Sequence, residues 1–553
     1  MFLFIFLCKN ILVDLYINQL NGYTYQSYCV SFCSLLKKKW FVLLVQGFLF
    51  VLLFVVASFD TLALCVYLII EFLIFYFNFC DIKFALKLKY TNRIKRFLIL
   101  YFILLVMLCV LFLIYLSDKY IALLFAIAPI LNFCMFTIVW LCVSLVEKFI
   151  GFYYINKCKM KLNNNSCIKK IGITGSYGKT STKEILNSIL SAEFNVLSTP
   201  KSFNTPFGIT KTINEQLSST HEVFIAEMGA KKVGEIKYLC NLVNVDYGII
   251  TSVGRQHTDT FCGIDGVYRT KKELVDFLTN KNCVFNLMNH YVFSMYKNFV
   301  GDSIGVFLIV NKDCGLRFSI IKSHNIYKLI HNNLSGVNSL IFKTNCFFEF
   351  PKKNNLYAKN IVLNSGGSSF DVCYSGEWLF RVDFSLMGLH NIINCLLAIA
   401  MAYMLGESLE NIKLGVVKVK SINARLEKYV TKSGAIVFNN GYNSNLDSAK
   451  FSLAILDIFR DKKKIVVTPG IVETEDDFKY NMDFAKLVAS RCDEIVVVKN
   501  KNKDAIKAGL KNSGFDMSRV AFYENFLLAK KYIENLGDDC VVLIENDLPD
   551  NYT

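Results

Sequence analysis

At 553 residues, with 54% hydrophobic content and a formal net charge of +16, the chain exceeds one domain and its hydropathy is lopsided. The basic excess could suggest nucleic acid, but no zinc-finger spacing or RNA-binding signature accompanies it, and much of the clustering flanks apolar runs. The nineteen cysteines form no C-x-x-C pair, so they read as reduced, buried thiols rather than zinc ligands or disulfides.

Long apolar runs dominate residues 1–150. Trp40–Ser58, Leu62–Cys80, Phe97–Ser117 and Ile121–Val146 are each long enough to cross a bilayer core as a helix, with Met1–Ile17 as a weaker fifth candidate. The expectation is an α-helical membrane bundle of four spans, or five. The cations Lys37, Lys38 and Lys39, and those from Lys83 to Arg96, occupy alternate connections. By the positive-inside rule they put the chain after Val146 in the cytoplasm. Glu71 falls within a span, where an acid is either functional or protonated against a helix partner.

Beyond a short linker at 151–165, apolar runs alternate with amphipathic helices, the pattern of an α/β fold with a mainly parallel sheet. The first unit, 166–420, opens on Ile171-Gly172-Ile173-Thr174-Gly175-Ser176-Tyr177-Gly178-Lys179-Thr180-Ser181. An apolar strand entering a glycine loop and then a helix offers backbone N–H groups to a polyphosphate, a lysine for its charge and a hydroxyl for Mg²⁺. A chance Gly-Lys-Thr in a loop is the alternative. The loop departs from Walker A, because Ile173 stands where that pattern needs glycine. Further strands are expected at Val223–Ala226, Gly248–Thr251 and Cys283–Phe285, with helices at Lys183–Leu190 and Val267–Leu278. Residues 291–385 suggest antiparallel strands or an insertion, and a helical pattern returns from His390 to Leu405. A second α/β unit, 421–553, carries strand candidates Ile465–Val467, Glu494–Val498 and Cys540–Ile544. Glu227 and His257 follow the ends of apolar strands, a usual place for ligands in such folds. With Thr180 they make a plausible Mg²⁺ shell, although one imidazole is unusual for magnesium.

The ordered set G-S-Y-G-K-T-S-T-K, S-F-N-T-P-F-G, A-E-M-G-A-K-K-V-G-E-I, S-V-G-R-Q-H-T-D-T-F, G-V-Y-R-T-K-K-E-L, G-L-H-N-I-I-N, A-R-L-E and G-Y-N-S-N resembles the Mur ligases. E-M-G-A followed by G-E-I points to their D-alanyl-D-alanine-adding branch. The match runs from Ile171 to the C-terminus. It implies a Mur-type ATP-binding central domain, a Rossmann-like C-terminal domain, and an ADP-forming amide ligase of peptidoglycan precursor synthesis using ATP and two Mg²⁺. Gly175, Ser176, Tyr177, Gly178, Lys179, Thr180 and Ser181 would form the phosphate loop. Thr180, Glu227 and His257 would be metal-site residues, and Lys271, the lysine that the family carbamylates, would once carbamylated help bind the second Mg²⁺. Asn286 and Asn289 would face adenine, Arg425 would contact ATP from the C-terminal domain, and Asn204 and Thr205 would lie on the substrate side. Lys179, Lys271, His257 and Arg425 are the expected catalytic set.

The implied partners are a muramyl peptide, D-alanyl-D-alanine, the lipid bilayer and other cell-wall enzymes, with the catalytic part on the cytoplasmic face of a bacterial cell membrane. Three departures stand out. The apolar region occupies the place of the usual UDP-binding domain. Asn439-Asn440-Gly441-Tyr442-Asn443 replaces a motif that opens with two aspartates, and Thr258-Asp259 follows His257. Ligation of a lipid-linked or other acceptor, or an ATP-binding scaffold without turnover, are the competing readings.

Overall fold

The computed structural model describes residues 90–115, 121–254, 261, 263–311, 327–330, 339–344, 354–364, 366–419, 426–441, 446–471, 476–498 and 501–546, with Leu15 and Gln19. The chain divides into two compact units, residues 1–153 and 154–553.

In the first unit, α1 (Asn92–Tyr115) and the first part of α2 (Ile121–Asn164) are helical. The expected bundle of four or five membrane spans is corrected here. Among the described residues one helix, Cys134–Asn164, is long and apolar enough to cross a membrane. Trp40–Ser58, Leu62–Cys80, Met1–Ile17 apart from Leu15, and Glu71 lie outside the described residues. Apolar length by itself does not separate a membrane span from a helix that packs on another helix. Ile94, Phe97, Tyr101 and Leu105 form a buried stripe on α1, and the Phe97 and Phe136 rings lie 5.0 Å apart. Arg96 pairs with Glu147 between the same two helices.

The second unit holds two sheets. In the first, β1 (Lys169–Thr174), β2 (Val196–Ser198), β3 (Val223–Glu227), β4 (Tyr247–Ile250), β5 (Asn282–Asn286) and β6 (Asp302–Asn311) run parallel in the order β6-β5-β4-β1-β3-β2. Strands β7 (Tyr327–Ile330) and β8 (Ser339–Thr344) pair with each other, and β8 pairs antiparallel with β6. An antiparallel meander of β9 (Asn355–Asn364), β10 (Gly367–Tyr374) and β11 (Glu377–Phe384) extends the sheet beyond β6.

Parallel strands need both faces covered. On β3, Val223 and Ile225 join one core with α3 (Lys179–Leu190), while Phe224 and Ala226 join the other. The second face carries α4 (Pro206–Gln216), α5 (Glu235–Val243), α6 (Ile264–Phe277) and α7 (His290–Lys297). The first also carries α8 (Leu389–Met404) and α9 (Leu409–Val417). Lys161 of α2 donates to the carbonyls of Asn214 at 2.8 Å and Leu217 at 3.2 Å, closing the C-terminal end of α4.

The second sheet orders β12 (Glu427–Val430), β13 (Ile436–Asn440), β17 (Cys540–Glu545), β14 (Lys463–Thr468), β15 (Glu494–Val498) and β16 (Val520–Tyr523); all but β12 are parallel. Helices α10 (Leu446–Leu453), α11 (Asp477–Ala489), α12 (Lys503–Asn512) and α13 (Phe526–Glu534) accompany it. Central β17 is buried at all six residues.

Leu186 of α3 is fully buried in the core that carries the glycine loop. Leu186→Ala is expected to cost about 2–5 kcal/mol. A lowered unfolding midpoint in calorimetry or denaturant titration checks it.

Candidate active site

The loop from β1 to α3 is pinned from one side by the segment leaving β4. These strands are neighbours, with Thr174 opposite Ile250, so both loops emerge at the same sheet edge. Ser176 N–H donates to Ser252 O at 2.7 Å, and Tyr177 N–H to Ser252 Oγ at 3.0 Å. In return, Thr251 and Ser252 hydroxyls donate to Tyr177 O, at 2.5 and 3.1 Å. Ser176 Oγ donates to Gly254 O at 3.2 Å and lies 3.0 Å from Gly254 N. A Cβ on Gly175 would lie 2.0 Å from Thr251 Oγ1, and its φ of +152° is one that other residues rarely adopt. Gly178, at φ +83°, starts α3 and meets Asn394 of α8, whose Oδ1 would be 2.5 Å from a Cβ there.

The loop amides at Ser176 and Tyr177 are therefore spent on Ser252. The first turn of α3 follows, where N–H groups lack intrahelical acceptors and the helix dipole is positive. Lys179 Nζ folds back onto the carbonyls of Gly175 at 2.6 Å and Ser176 at 3.2 Å. Thr180 and Ser181 continue that turn.

Glu227 ends β3, next to β1, in register with Ile173. It is almost fully buried, and Asn204 Nδ2 donates to its Oε1 at 3.1 Å. Its Oε2 is buried with no hydrogen-bond partner; the Lys183 ammonium stands 3.5 Å away. Among the described residues no three His, Cys, Asp or Glu side chains group into a metal site. Magnesium in nucleotide sites commonly uses one or two carboxylates with phosphate oxygens and water, so a lone buried carboxylate oxygen at this edge fits that ion.

Lys271 lies on α6, 4% exposed, its Nζ 6.0 Å from the centre of the Phe261 ring. Burial, reinforced by the like charge of Lys179, lowers its pKa to about 7, against the upward pull of Glu273 and Glu235. The fold thus brings together two lysines 92 positions apart in sequence (271 less 179).

Asn286 and Asn289 brace the same edge. Asn286 donates to Thr251 O at 2.7 Å and accepts from Met288 N–H; Asn289 donates to Val253 O at 2.9 Å and caps α7. Their side chains hold the segment that holds the glycine loop. Thr205 is the N-cap of α4, accepting from Gly208 N–H. Asn204 lies in the loop between β2 and α4 and donates to Glu227. His257 and Arg425 lie outside the described residues.

Several participants were not singled out in sequence: Lys183, Thr199, Thr251, Ser252, Asn394 and Glu545. Lys183 had a signal, a lysine on the face of α3 otherwise formed by Ile185, Leu186, Ile189 and Leu190. Glu545 alters the reading of Asn440. The Asn440 amide donates to both Glu545 carboxylate oxygens, at 3.2 and 3.0 Å, and Ser452 Oγ donates to Oε2 at 2.6 Å. The carboxylate missing from the β13 motif is present on the adjacent strand, where Asn440 and Glu545 are register partners.

The two α/β sheets and this loop define a class, the Mur ligase fold. Residues 173–313 match the Mur ligase middle domain family. In particular, the chain is similar to UDP-N-acetylmuramoyl-tripeptide–D-alanyl-D-alanine ligases. It is 30% identical to that of Buchnera aphidicola from Acyrthosiphon pisum over 308 residues, 55% of this chain and 58% of that one. Against that of Bacillus subtilis it is 24% identical over 375 residues, 66% and 71% of the two chains. MurF from Acinetobacter baumannii superposes with a TM-score of 0.56 at 22% identity, covering 72% of this chain and 77% of that one. MurF from Thermotoga maritima in complex with ADP gives 0.56 at 18% identity, covering 72% and 80%. The alignment spans less than two thirds of the Buchnera relative, 58% of its length.

Gly175→Ala is expected to abolish nucleotide binding, since the new methyl would displace Thr251; titration with a fluorescent ATP analogue checks it. Lys271 also gives a signed pH effect. Its pKa is lowered from 10.5 to about 7 on folding, so between those values the unfolded chain holds more protons and stability rises with pH. Lys271→Met should flatten that rise and raise the melting temperature at pH 7, by about 2–4 °C per kcal/mol regained.

Proposed function

We propose that this chain is an ATP-dependent, ADP-forming amide ligase that adds D-alanyl-D-alanine to the terminal carboxylate of a muramyl tripeptide. The observation that carries the reading is the pinned glycine loop on β1 beside Glu227 on β3, with one carboxylate oxygen of Glu227 making no hydrogen bond and facing the Lys183 ammonium at 3.5 Å. The similarity to muramoyl-tripeptide ligases supports the choice of substrates.

In this reading the first turn of α3 receives the phosphates and Lys179 swings from the carbonyls of Gly175 and Ser176 onto the β- and γ-phosphates. Thr180 and Glu227 would hold magnesium, with His257 assigned to the same ion by the resemblance, and the ion would supply Lewis-acid stabilisation of the phosphoryl oxygens. The acceptor carboxylate attacks the γ-phosphorus, the bond to the β-phosphate oxygen breaks, and ADP leaves. The amine of the dipeptide then attacks the acyl phosphate, forming the amide and releasing phosphate and a proton. The resemblance assigns Arg425 to the nucleotide. With a pKa near 7, Lys271 is substantially a neutral amine at working pH, the form that takes up carbon dioxide; as a carbamate it adds an anion beside Lys179. The long apolar helix Cys134–Asn164 favours a second reading, in which the same chemistry acts on an acceptor presented at a bilayer.

Phosphate release by the purified full-length chain tests this, with ATP, Mg²⁺ and bicarbonate present and UDP-MurNAc-tripeptide and D-alanyl-D-alanine added singly or together. Release should require both substrates, and Lys179→Ala should reduce it by about 10²–10³-fold. A lipid-linked tripeptide serving in place of the UDP-linked one would favour the second reading. ATP binding with no release in any arm would overturn the ligase assignment.

A further inference from the structure

Lys183 is fully buried, yet its ammonium serves no role described so far. It stands one helical turn beyond Lys179 on α3 and joins three separate segments. It donates to Thr199 O at 2.6 Å and to Lys201 O, and pairs with Glu227 Oε2 at 3.5 Å and with Glu184 at 3.2 Å. Taking a cation out of water is costly unless opposite charge and acceptors surround it, and here both do.

The carbonyl partners belong to the loop between β2 and α4. That loop turns through Lys201, which has a left-handed φ of 51°. Its far end is tied to the same carboxylate, because Asn204 donates to Glu227 Oε1 and accepts at its carbonyl from Gly229 N–H, at 2.8 Å. Thr199 Oγ1 accepts from the Glu227 N–H at 3.1 Å. Lys183 and Glu227 therefore clamp residues 199–204 at both ends, and the clamp hangs from the helix that begins in the glycine loop.

We propose that Lys183 is a positioning residue that fixes the 199–205 loop and the Glu227 carboxylate relative to the nucleotide helix, so that acceptor binding depends on it more than ATP binding does. This rests on the ligase reading for its kinetic arm. A shift of α3 when phosphate occupies its N-terminus would be carried by Lys183 to the loop bearing Asn204 and Thr205.

The test compares the full-length chain with Lys183→Met, Glu227→Gln and the double variant, by hydrogen exchange and by steady-state kinetics. In Lys183→Met, amide protection across 199–205 should fall by about tenfold or more while the strands of the same sheet keep theirs. The acceptor KM should rise by about tenfold with the ATP KM held within about threefold. The double variant, which leaves no unpaired buried charge, should be no worse than Glu227→Gln alone, the non-additivity expected of groups acting as a unit. Unchanged protection at 199–205, uniform loss across the whole sheet, or additive defects in the double variant would overturn the proposal. Hydrogen exchange needs no substrate, so a chain that fails to ligate still judges the clamp, and a failed clamp leaves the ligase assay standing.

Discussion

The site depends on the reciprocal hydrogen bonding between the glycine loop after β1 and the Thr251–Gly254 segment after β4. A glycine-rich loop has many accessible conformations, and binding phosphate with one of them would cost the entropy of selecting it. Here neighbouring strands place the loops edge to edge, and hydroxyls and backbone groups of Thr251, Ser252 and Ser176 close the gap. Asn286 and Asn289, donating to Thr251 O and Val253 O, extend the brace to β5 and α7. The absence of a side chain at Gly175 is what permits the approach.

Around this frame, the fold treats two buried lysines differently. Lys271 is held near neutrality by burial and by Lys179, whereas Lys183 is compensated by Glu227, Glu184 and two carbonyls. Two lysines, on helices that cover opposite faces of the sheet, thus have different chemistry available because one has acceptors and the other has a like charge. In the C-terminal sheet the same logic moves a charge between strands: Asn440 is an amide, and Glu545 beside it is the carboxylate.

Much of the α/β architecture was legible in sequence because parallel strands buried on both faces read as short apolar runs. The expected Val223–Ala226, Cys283–Phe285 and Glu494–Val498 lie within β3, β5 and β15. Helix α3 begins at Lys179, four residues ahead of the amphipathic pattern, because its first turn, Lys179-Thr180-Ser181-Thr182, is polar and carries no apolar period. The expected membrane bundle went beyond what apolar length carries, since residues that pack helix on helix, such as Phe97 and Leu105, score like residues that face lipid.

By itself, the sequence determined the nature of the loop, a strand, glycines, lysine and threonine in an order suited to polyphosphate, and the two α/β units behind it. Those properties are local, set by backbone freedom and side-chain periodicity. Tertiary structure alone decided which charges meet. Lys183 reaches Glu227 and the carbonyls of Thr199 and Lys201, Lys271 comes under the field of Lys179, and Glu545 supplies Asn440 with its carboxylate. Strand order determines those pairings, and desolvation gives them their strength; neither is written in the spacing of residues along the chain.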